Sequence, residues 1–370
     1  MNMDATTDPR IVMTLDAGGT NFKFSAIRSN RLLLEPLYLP AAPNDLDACL
    51  DNLLEGFRRV RSLLPEPPAA ISFAFPGPAD YPAGVVFNEN NLPAFRGGVA
   101  LGPMLADAFG IPVFLNNDGD LFAYGEAMSG FLPEVNRMLA EAGSPKRYSN
   151  LLGITLGTGL GGGIVRNGEL FLGDNSMAGE VWLLRNRLDP DWNAEEGASI
   201  RAVRRVYAEA AGIPLEEAPE PKTIFEIGMG RAEGHQEAAL EAFRRLGVVA
   251  GDAIAQALTL VDGLVVIGGG LAGAAPLFLP AMLDAINDVF PRDGRPLRRV
   301  VFRAFDFDDP AQREQFLRGE PRELRVPRSG RTVVYDALQR TAIGLTRLGT
   351  SEAVSLGAYA YALSRLGPAH

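Results

Sequence analysis

Cysteine and histidine are nearly missing from this chain. Its 370 residues include one cysteine, Cys49, and two histidines, His235 and His370. A single cysteine excludes an intrachain disulfide and any zinc site built from several thiolates. With two histidines, one of them terminal, most zinc-enzyme and His-based triad schemes lack parts. Positive charge is also short: 35 Lys and Arg face 45 Asp and Glu, a net charge of −10. That balance disfavours a general nucleic-acid binder. Apolar runs of membrane-spanning length are absent because Gly interrupts the longest. Met1–Arg10 is polar with no apolar h-region, so a cytoplasmic protein with no membrane partner is expected. Carboxylates and glycine-rich turns are left to carry the chemistry.

What the chain does have is enough to fold. Hydrophobic residues make up 47% and charged residues 22%, which supports a sizeable core. At roughly 100–200 residues per domain the length suggests two domains. The 41 Gly and 27 Pro exceed the roughly 7% and 5% of an average chain, and much of the excess falls at turns that matter below.

Ile11–Leu15 reads as an apolar strand that runs into Asp16-Ala-Gly-Gly-Thr-Asn21. Phe22, Phe24 and Ala26 then alternate with Lys23 and Ser25, which predicts a second strand and hence a hairpin. A P-loop or dinucleotide fingerprint would lead into a helix instead. Leu46–Leu64 has helical periodicity, and Pro65, Pro67 and Pro68 end it. Ala69–Phe75 reads as a strand closed by Pro76-Gly77-Pro78. A helix over Leu101–Phe109 stops at Gly110. The strand Ile111–Leu115 then ends at Asn116-Asn117-Asp118, ahead of a helix over Leu121–Met128. This alternation is α/β.

Phe131–Asn150 reads as a surface helix with loops. Leu151–Leu156, the turn Gly157–Gly163 and Ile164–Val165 repeat the strand–turn–strand design, which suggests related halves facing one cleft. Ile200–Ala211 is helical, and Gln236–Leu260 holds one long helix or two. Leu264–Ile267 runs into Gly268-Gly269-Gly270, and Leu277–Phe290 is helical. Pro291–Arg331 reads as irregular with short strands such as Val300–Phe305. An Ala-rich helix over Ser351–Leu363 closes the chain.

Asp16 at a strand end, followed by Gly18, Gly19, Thr20 and Asn21, is the sharpest local signal. Glycines let backbone N–H groups approach a phosphate, and the Thr hydroxyl can donate to it. Asp16 can hold a hydrated Mg²⁺ against that phosphate; a Gly-rich hairpin with an Asp cap is the other reading. Thr158, Gly159 and Gly161 form a second phosphate-cradle candidate, although glycine runs also mark tight bends. Gly268, Gly269 and Gly270 can admit a base and ribose beside the backbone, and close helix–sheet packing explains them equally well. Asp118, on a rigid element at a sheet rim, is a general-base candidate for a substrate hydroxyl attacking a phosphoryl group. Helix capping is its alternative. Glu180 and the Glu195–Glu196 pair can grip sugar hydroxyls, or serve as helix-start or surface acids. His235 reads as a surface residue and Cys49 as structural.

Taken together, these motifs resemble the ROK family of bacterial sugar kinases, related open reading frames and repressors. The resemblance runs through Leu15–Asn21, Phe75-Pro-Gly-Pro-Ala-Asp80 with Gly84, Asn91-Leu-Pro-Ala-Phe95, and Asn117-Asp118 with Tyr124-Gly-Glu126. It continues through Gly157–Gly163, Ala178-Gly-Glu180, Gly268–Gly270 and Leu356-Gly-Ala358, in family order across most of residues 11–365.

The resemblance implies an α/β, two-domain actin-like ATPase (ribonuclease H-like) fold with a central nucleotide and sugar cleft. The first domain would cover about 10–120 with the last helix, 351–365. The second would cover about 121–350, with insertions near 131–149 and 291–331. It implies ATP and Mg²⁺, with Lys23 joining Asp16, Gly18–Asn21, Thr158, Gly159, Gly161 and Gly268–Gly270 in nucleotide binding. Asn91, Asn117, Glu180 and Glu195 would orient a hexose whose 6-hydroxyl Asp118 activates. A homodimer is a further expectation, since ROK kinases commonly dimerise.

One departure is informative. After Ala-Gly-Glu the family carries Gly-His, the His contacting sugar and zinc, and then a cysteine cluster. Here Leu183 stands at the His position and Asn193 at the last Cys, so no structural zinc site is expected, and packing by Trp182, Leu184 and Trp192 is expected in its place. The alternative function is an inactive ROK-like sugar-binding or regulatory protein. With fifteen residues before Asp16, the DNA-binding domain of a family repressor is not expected.

Overall fold

Alternating large apolar and polar side chains start the fold. The computed structural model describes residues 5–18, 20–87, 93–291 and 293–368. The chain divides into two units: Met1–Gly130, Gly163–Ala178 and Arg347–His370 make one, and Phe131–Gly162 with Gly179–Thr346 make the other.

In the first unit, β1 (Val12–Ala17) and β2 (Asn21–Arg28) pair antiparallel with Asp16 opposite Lys23. This is the hairpin the alternation predicts. β3 (Arg31–Leu32) and β4 (Leu37–Pro40) both pair with β2. Phe22 and Phe24 are fully buried on the face covered by α1 (Leu46–Leu63). The Phe24 ring stands edge-on to Phe57 at 5.1 Å, the arrangement that aromatic quadrupoles favour. Gly56 is required there, because a Cβ would run into the Phe24 ring. Asp45 caps α1 by accepting the Ala48 N–H at 3.1 Å. Cys49 is buried in this core.

β5 (Ala70–Ala74) lies parallel to β1. After the short β6 (Ala79–Asp80) and β7 (Val85–Val86) comes α2 (Leu101–Phe109), ended by Gly110 in the left-handed conformation. β8 (Val113–Asn116) then joins β5 in parallel, giving the order β3-β2-β1-β5-β8. The carboxyl ends of β1, β5 and β8 therefore share one edge, where α/β sheets place ligands. α3 (Asp118–Ser129) starts there.

The second unit opens with α4 (Phe131–Glu141), which buries Phe131, Leu132, Val135 and Leu139. It is more deeply packed than the surface helix expected from its polar sequence. β9 (Leu151–Leu156) follows, and β10 (Leu160–Arg166) carries the chain out of this unit after Gly162 toward β11 (Glu169–Leu170). α5 (Ile200–Ala211) and α6 (Pro221–Gly228) precede α7 (Gln236–Val261), a single helix of 26 residues. β12 (Leu264–Gly268) is parallel to β9. α8 (Ala275–Ile286) packs on α7 at Gly247 and Gly251, where added Cβ atoms would meet the carbonyls of Phe278 and Met282.

α8 stops at Ile286, short of the Phe290 expected, and β13 (Val289–Phe290) follows it, paired with β14 (Leu297–Arg298). The stretch expected to be irregular with short strands holds β14, β15 (Arg303–Asp306) and β16 (Pro321–Arg325), and also an unexpected helix, α9 (Pro310–Arg318). β16 forms a hairpin with β17 (Thr332–Asp336). Asp309 caps α9 by accepting the Gln312 N–H at 2.8 Å, and Phe316 anchors it by stacking on Tyr148 at 5.8 Å. β18 (Arg340–Leu345) lies between β12 and β15, parallel to both.

The chain re-enters the first unit for α10 (Thr350–Leu366), which packs closely on α3. A Cβ on Gly125 would strike the Ala353 backbone, and one on Gly357 the Leu121 backbone. No described helix is long and apolar enough to cross a membrane.

Candidate active site

Two of the strand ends in the first unit bring carboxylates together. Asp16 is the last residue but one of β1, and Asn117-Asp118 follows β8 directly. With Phe75, Thr350 and Ser351 they line a recess of about 300 Å³. Asn117 is the residue that caps α3, its side-chain oxygen accepting the Gly119 N–H at 2.8 Å. Asp118 is the first helical residue and also accepts that N–H, at 2.9 Å. Capping is thus shared, and Asp118 keeps an exposed side chain in the recess.

The recess walls thin the water around that carboxyl even though it faces solvent. Desolvation pushes the Asp118 carboxyl above the usual carboxylate range; the Gly119 and Asp118 backbone N–H groups oppose the rise, and the Asp16 charge adds to it. A carboxylate held this way is a better proton acceptor than a free one. Asn117 also donates to the Tyr81 hydroxyl at 3.5 Å, and Tyr81 donates to the Phe75 carbonyl at 3.1 Å.

On its other side Asp16 lines a second recess of about 310 Å³ with Lys23, Thr14, Ser25 and Ser351. One carboxylate and one ammonium opposite it in register suit a hydrated divalent cation and the phosphate it accompanies. Gly18, Thr20 and Asn21 are exposed at the hairpin end. A Cβ on Gly18 would lie 2.9 Å from the Asn21 carbonyl oxygen, so the turn needs glycine at that point. Gly19 and Asn91 lie outside the described residues.

In the second unit, β9 and β12 are neighbours, so the turns that follow them adjoin. Thr158 is exposed at the first, where the Gly157 N–H donates to the Gly159 carbonyl at 3.0 Å. Gly269 has φ +89° at the second, and a Cβ there would collide with the Leu156 backbone. Gly270 is open to solvent. Gly268 ends β12 in the buried interior. Thr155 Oγ1 occupies the place of a Gly161 Cβ.

The acids expected to hold sugar are engaged within the unit. Glu180 accepts from the Trp182 indole N–H. Glu195 accepts the Leu160 N–H at 3.0 Å and the Arg201 guanidinium at 2.6 Å. Arg201 also pairs with Glu196, whose carboxyl it holds below the usual range. Leu183, at the position of the family His, is 59% exposed. Among the described residues, no three His, Cys, Asp or Glu side chains converge as metal ligands. Sequence reasoning gave no role to Thr350 and Ser351, which the chain brings to Asp16 from more than 300 positions away, nor to Arg201. Nothing in their local sequence marks them.

Three comparisons bear on this arrangement. A family model described as ROK family matches residues 12–293. N-acetyl-D-glucosamine kinase of Escherichia coli (strain K12) is 28% identical over 303 residues, covering 77% of this chain and 90% of the relative. The crystal structure of a glucokinase from Parabacteroides distasonis ATCC 8503 is 53% identical with a TM-score of 0.90, covering 98% of this chain and 99% of that one. A ROK family glucokinase from Streptomyces griseus, crystallised with glucose and AMPPNP, is 20% identical with a TM-score of 0.58 over 96% of this chain and 100% of that one. That last likeness is one of fold. The shared architecture is the mixed α/β, actin-like ATPase fold.

Proposed function

The chain belongs to the ROK family, and from that premise we propose that it is an ATP-dependent sugar kinase acting on the 6-hydroxyl of a hexose. Asp118 takes the proton from that hydroxyl as its oxygen attacks the γ-phosphorus, forming the new P–O bond while the bond to the ADP oxygen breaks. The observation that carries this reading is the Asp118 carboxylate, exposed in a recess beside Asp16 with its proton affinity raised. Asn117 fixes the start of α3 and so the direction of Asp118.

The backbone N–H groups of Gly18–Asn21 and of Thr158, Gly159 and Gly161 bind phosphate oxygens, with Lys23 adding charge. The turn at Gly268–Gly270, open at Gly270, takes the nucleoside. Asp16 would hold Mg²⁺, a role its exposed carboxylate suits, and the ion would supply positive charge against the transferring phosphate. Glu180 and Asn91 are assigned to sugar hydroxyls, and Glu195 is close enough to the second turn to serve there as well. Glucose and N-acetylglucosamine head the candidate substrates, following the relatives' named activities.

The test is a panel of hexoses with ATP and Mg²⁺, followed by ADP release and by the position of the phosphate on the product. Sugar-dependent ADP release with phosphate on O6 supports the proposal. Sugar binding without turnover identifies the regulatory alternative instead.

A further inference from the structure

The segment 181–199 stands where family members carry a metal loop, and a set of protein contacts ties it down here. Its arms meet at the bridge between Arg185 and Asn193, and the Ala194 N–H donates to the Leu184 carbonyl at 2.6 Å. Beyond the bridge lies a short ion-pair network. Arg205 pairs with Glu196 at 3.4 Å and lies over the Trp192 ring at 5.4 Å. Arg201 pairs with both Glu195, at 2.6 Å, and Glu196, at 2.5 Å.

This network reaches out of the segment to the turn after β9. Arg201 donates to the Thr158 carbonyl at 3.4 Å. Glu195 accepts the Leu160 N–H at 3.0 Å, and its carboxylate sits where a Gly159 Cβ would stand. The Ile200 N–H donates to the Gly157 carbonyl at 2.8 Å. Four consecutive residues of a glycine turn are therefore held from one side. A glycine-rich turn has wide conformational freedom of its own, so its N–H directions are set by what grips it.

We propose that Arg201 and Glu195 form a positioning clamp that sets the second glycine turn for nucleotide phosphate. The guanidinium does the organising that a metal ion does elsewhere in the family. The inference rests on reading that turn as a phosphate site. A planar guanidinium fork addresses two carboxylates and a carbonyl in fixed directions, whereas a lysine ammonium at the same place is a compact point charge with no fixed directions. The Arg201 side chain is 47% exposed, and ion pairs this wet contribute little to stability. The clamp's effect is therefore on geometry rather than on folding.

Calorimetry with AMPPNP and Mg²⁺, on wild type, Arg201→Met and Arg201→Lys, tests it, together with KM for ATP and for the sugar. Arg201→Met should weaken nucleotide binding roughly tenfold or more, as losing an orienting group does. KM for the sugar should stay within about twofold, the melting temperature should change little, and Arg201→Lys should recover part of the loss. Unchanged AMPPNP affinity in Arg201→Met overturns the clamp, as does a rise confined to the sugar KM. Should Arg201→Met misfold, Glu195→Ala is the second probe and carries the same expected weakening of nucleotide binding. Wild type that binds no AMPPNP would count instead against the kinase reading.

Discussion

In the proposed reaction a single side chain, Asp118, takes the proton, and its environment sets where it titrates. The desolvating recess walls raise its proton affinity, and Asp16 adds to the rise. The acid limb of kcat/KM should therefore fall above the roughly 3.9 of an unperturbed Asp. Activity is lost as pH drops through that raised value. The linkage to stability runs the other way. A carboxyl with a raised folded-state pKa favours the fold when protonated, so its contribution declines as pH rises through the folded value. Asp118→Asn should accordingly melt at or above the wild-type temperature at neutral pH, measured by calorimetry, while losing activity. A lower melting temperature would mean that Asp118 is a structural residue. Asp16 and Asp118 were legible in the sequence because each stands at the end of an apolar strand, beside glycine or asparagine. The engagement of Glu195 was not legible, because its partner Leu160 is 35 positions away. Its spacing from Ser199 matched a family pattern, but no local signal reports which backbone group a carboxylate will meet.

Elements with a strong period were read correctly, and those defined by tertiary contact were not. The β1–β2 hairpin and α1 followed from alternation and from a wide apolar stripe. α9 escaped because a single buried side chain, Phe316, anchors an otherwise charged helix. The β16–β17 hairpin escaped because all five residues of β16 are exposed, so no inside–outside alternation exists to read. α7 left one helix or two open in the sequence, since Gly247 and Gly251 interrupt its pattern. The structure shows that these glycines admit α8 rather than break the helix. Close backbone approach also sets the most exacting contact in the first unit, where α10 crosses α3. Gly357→Val places branched carbons against the Leu121 backbone, which cannot swing aside as a flexible side chain would. The expected loss is about 2 kcal/mol or more, read from urea midpoints. Gly273→Ala, at an exposed glycine with open space around it, should stay within about 0.5 kcal/mol. Equal midpoints for both variants would remove the crossing as a source of stability.

At the scale of the whole molecule, the ROK pattern is kept in the segments we assign to phosphate and proton and changed where the family uses zinc. The change was visible in sequence as Leu183 and Asn193 at ligand positions. What holds the loop in its place was not, because expected packing by Trp182 and Trp192 gives no hint of the Glu195, Glu196, Arg201 and Arg205 network. Treatment with a chelator, followed by return of Mg²⁺ alone, should leave both melting temperature and turnover unchanged. Loss of either, restored by Zn²⁺, would show a metal site that these residues do not supply. The most direct measurement of the central claim compares wild type with Asp118→Asn in an ADP-release assay with ATP, Mg²⁺ and glucose or N-acetylglucosamine, alongside nucleotide binding. Sugar-dependent turnover that falls by about 10²–10⁴-fold in the variant, with nucleotide affinity kept, is the predicted result. Equal turnover in the two proteins, or ADP release indifferent to sugar, would contradict it.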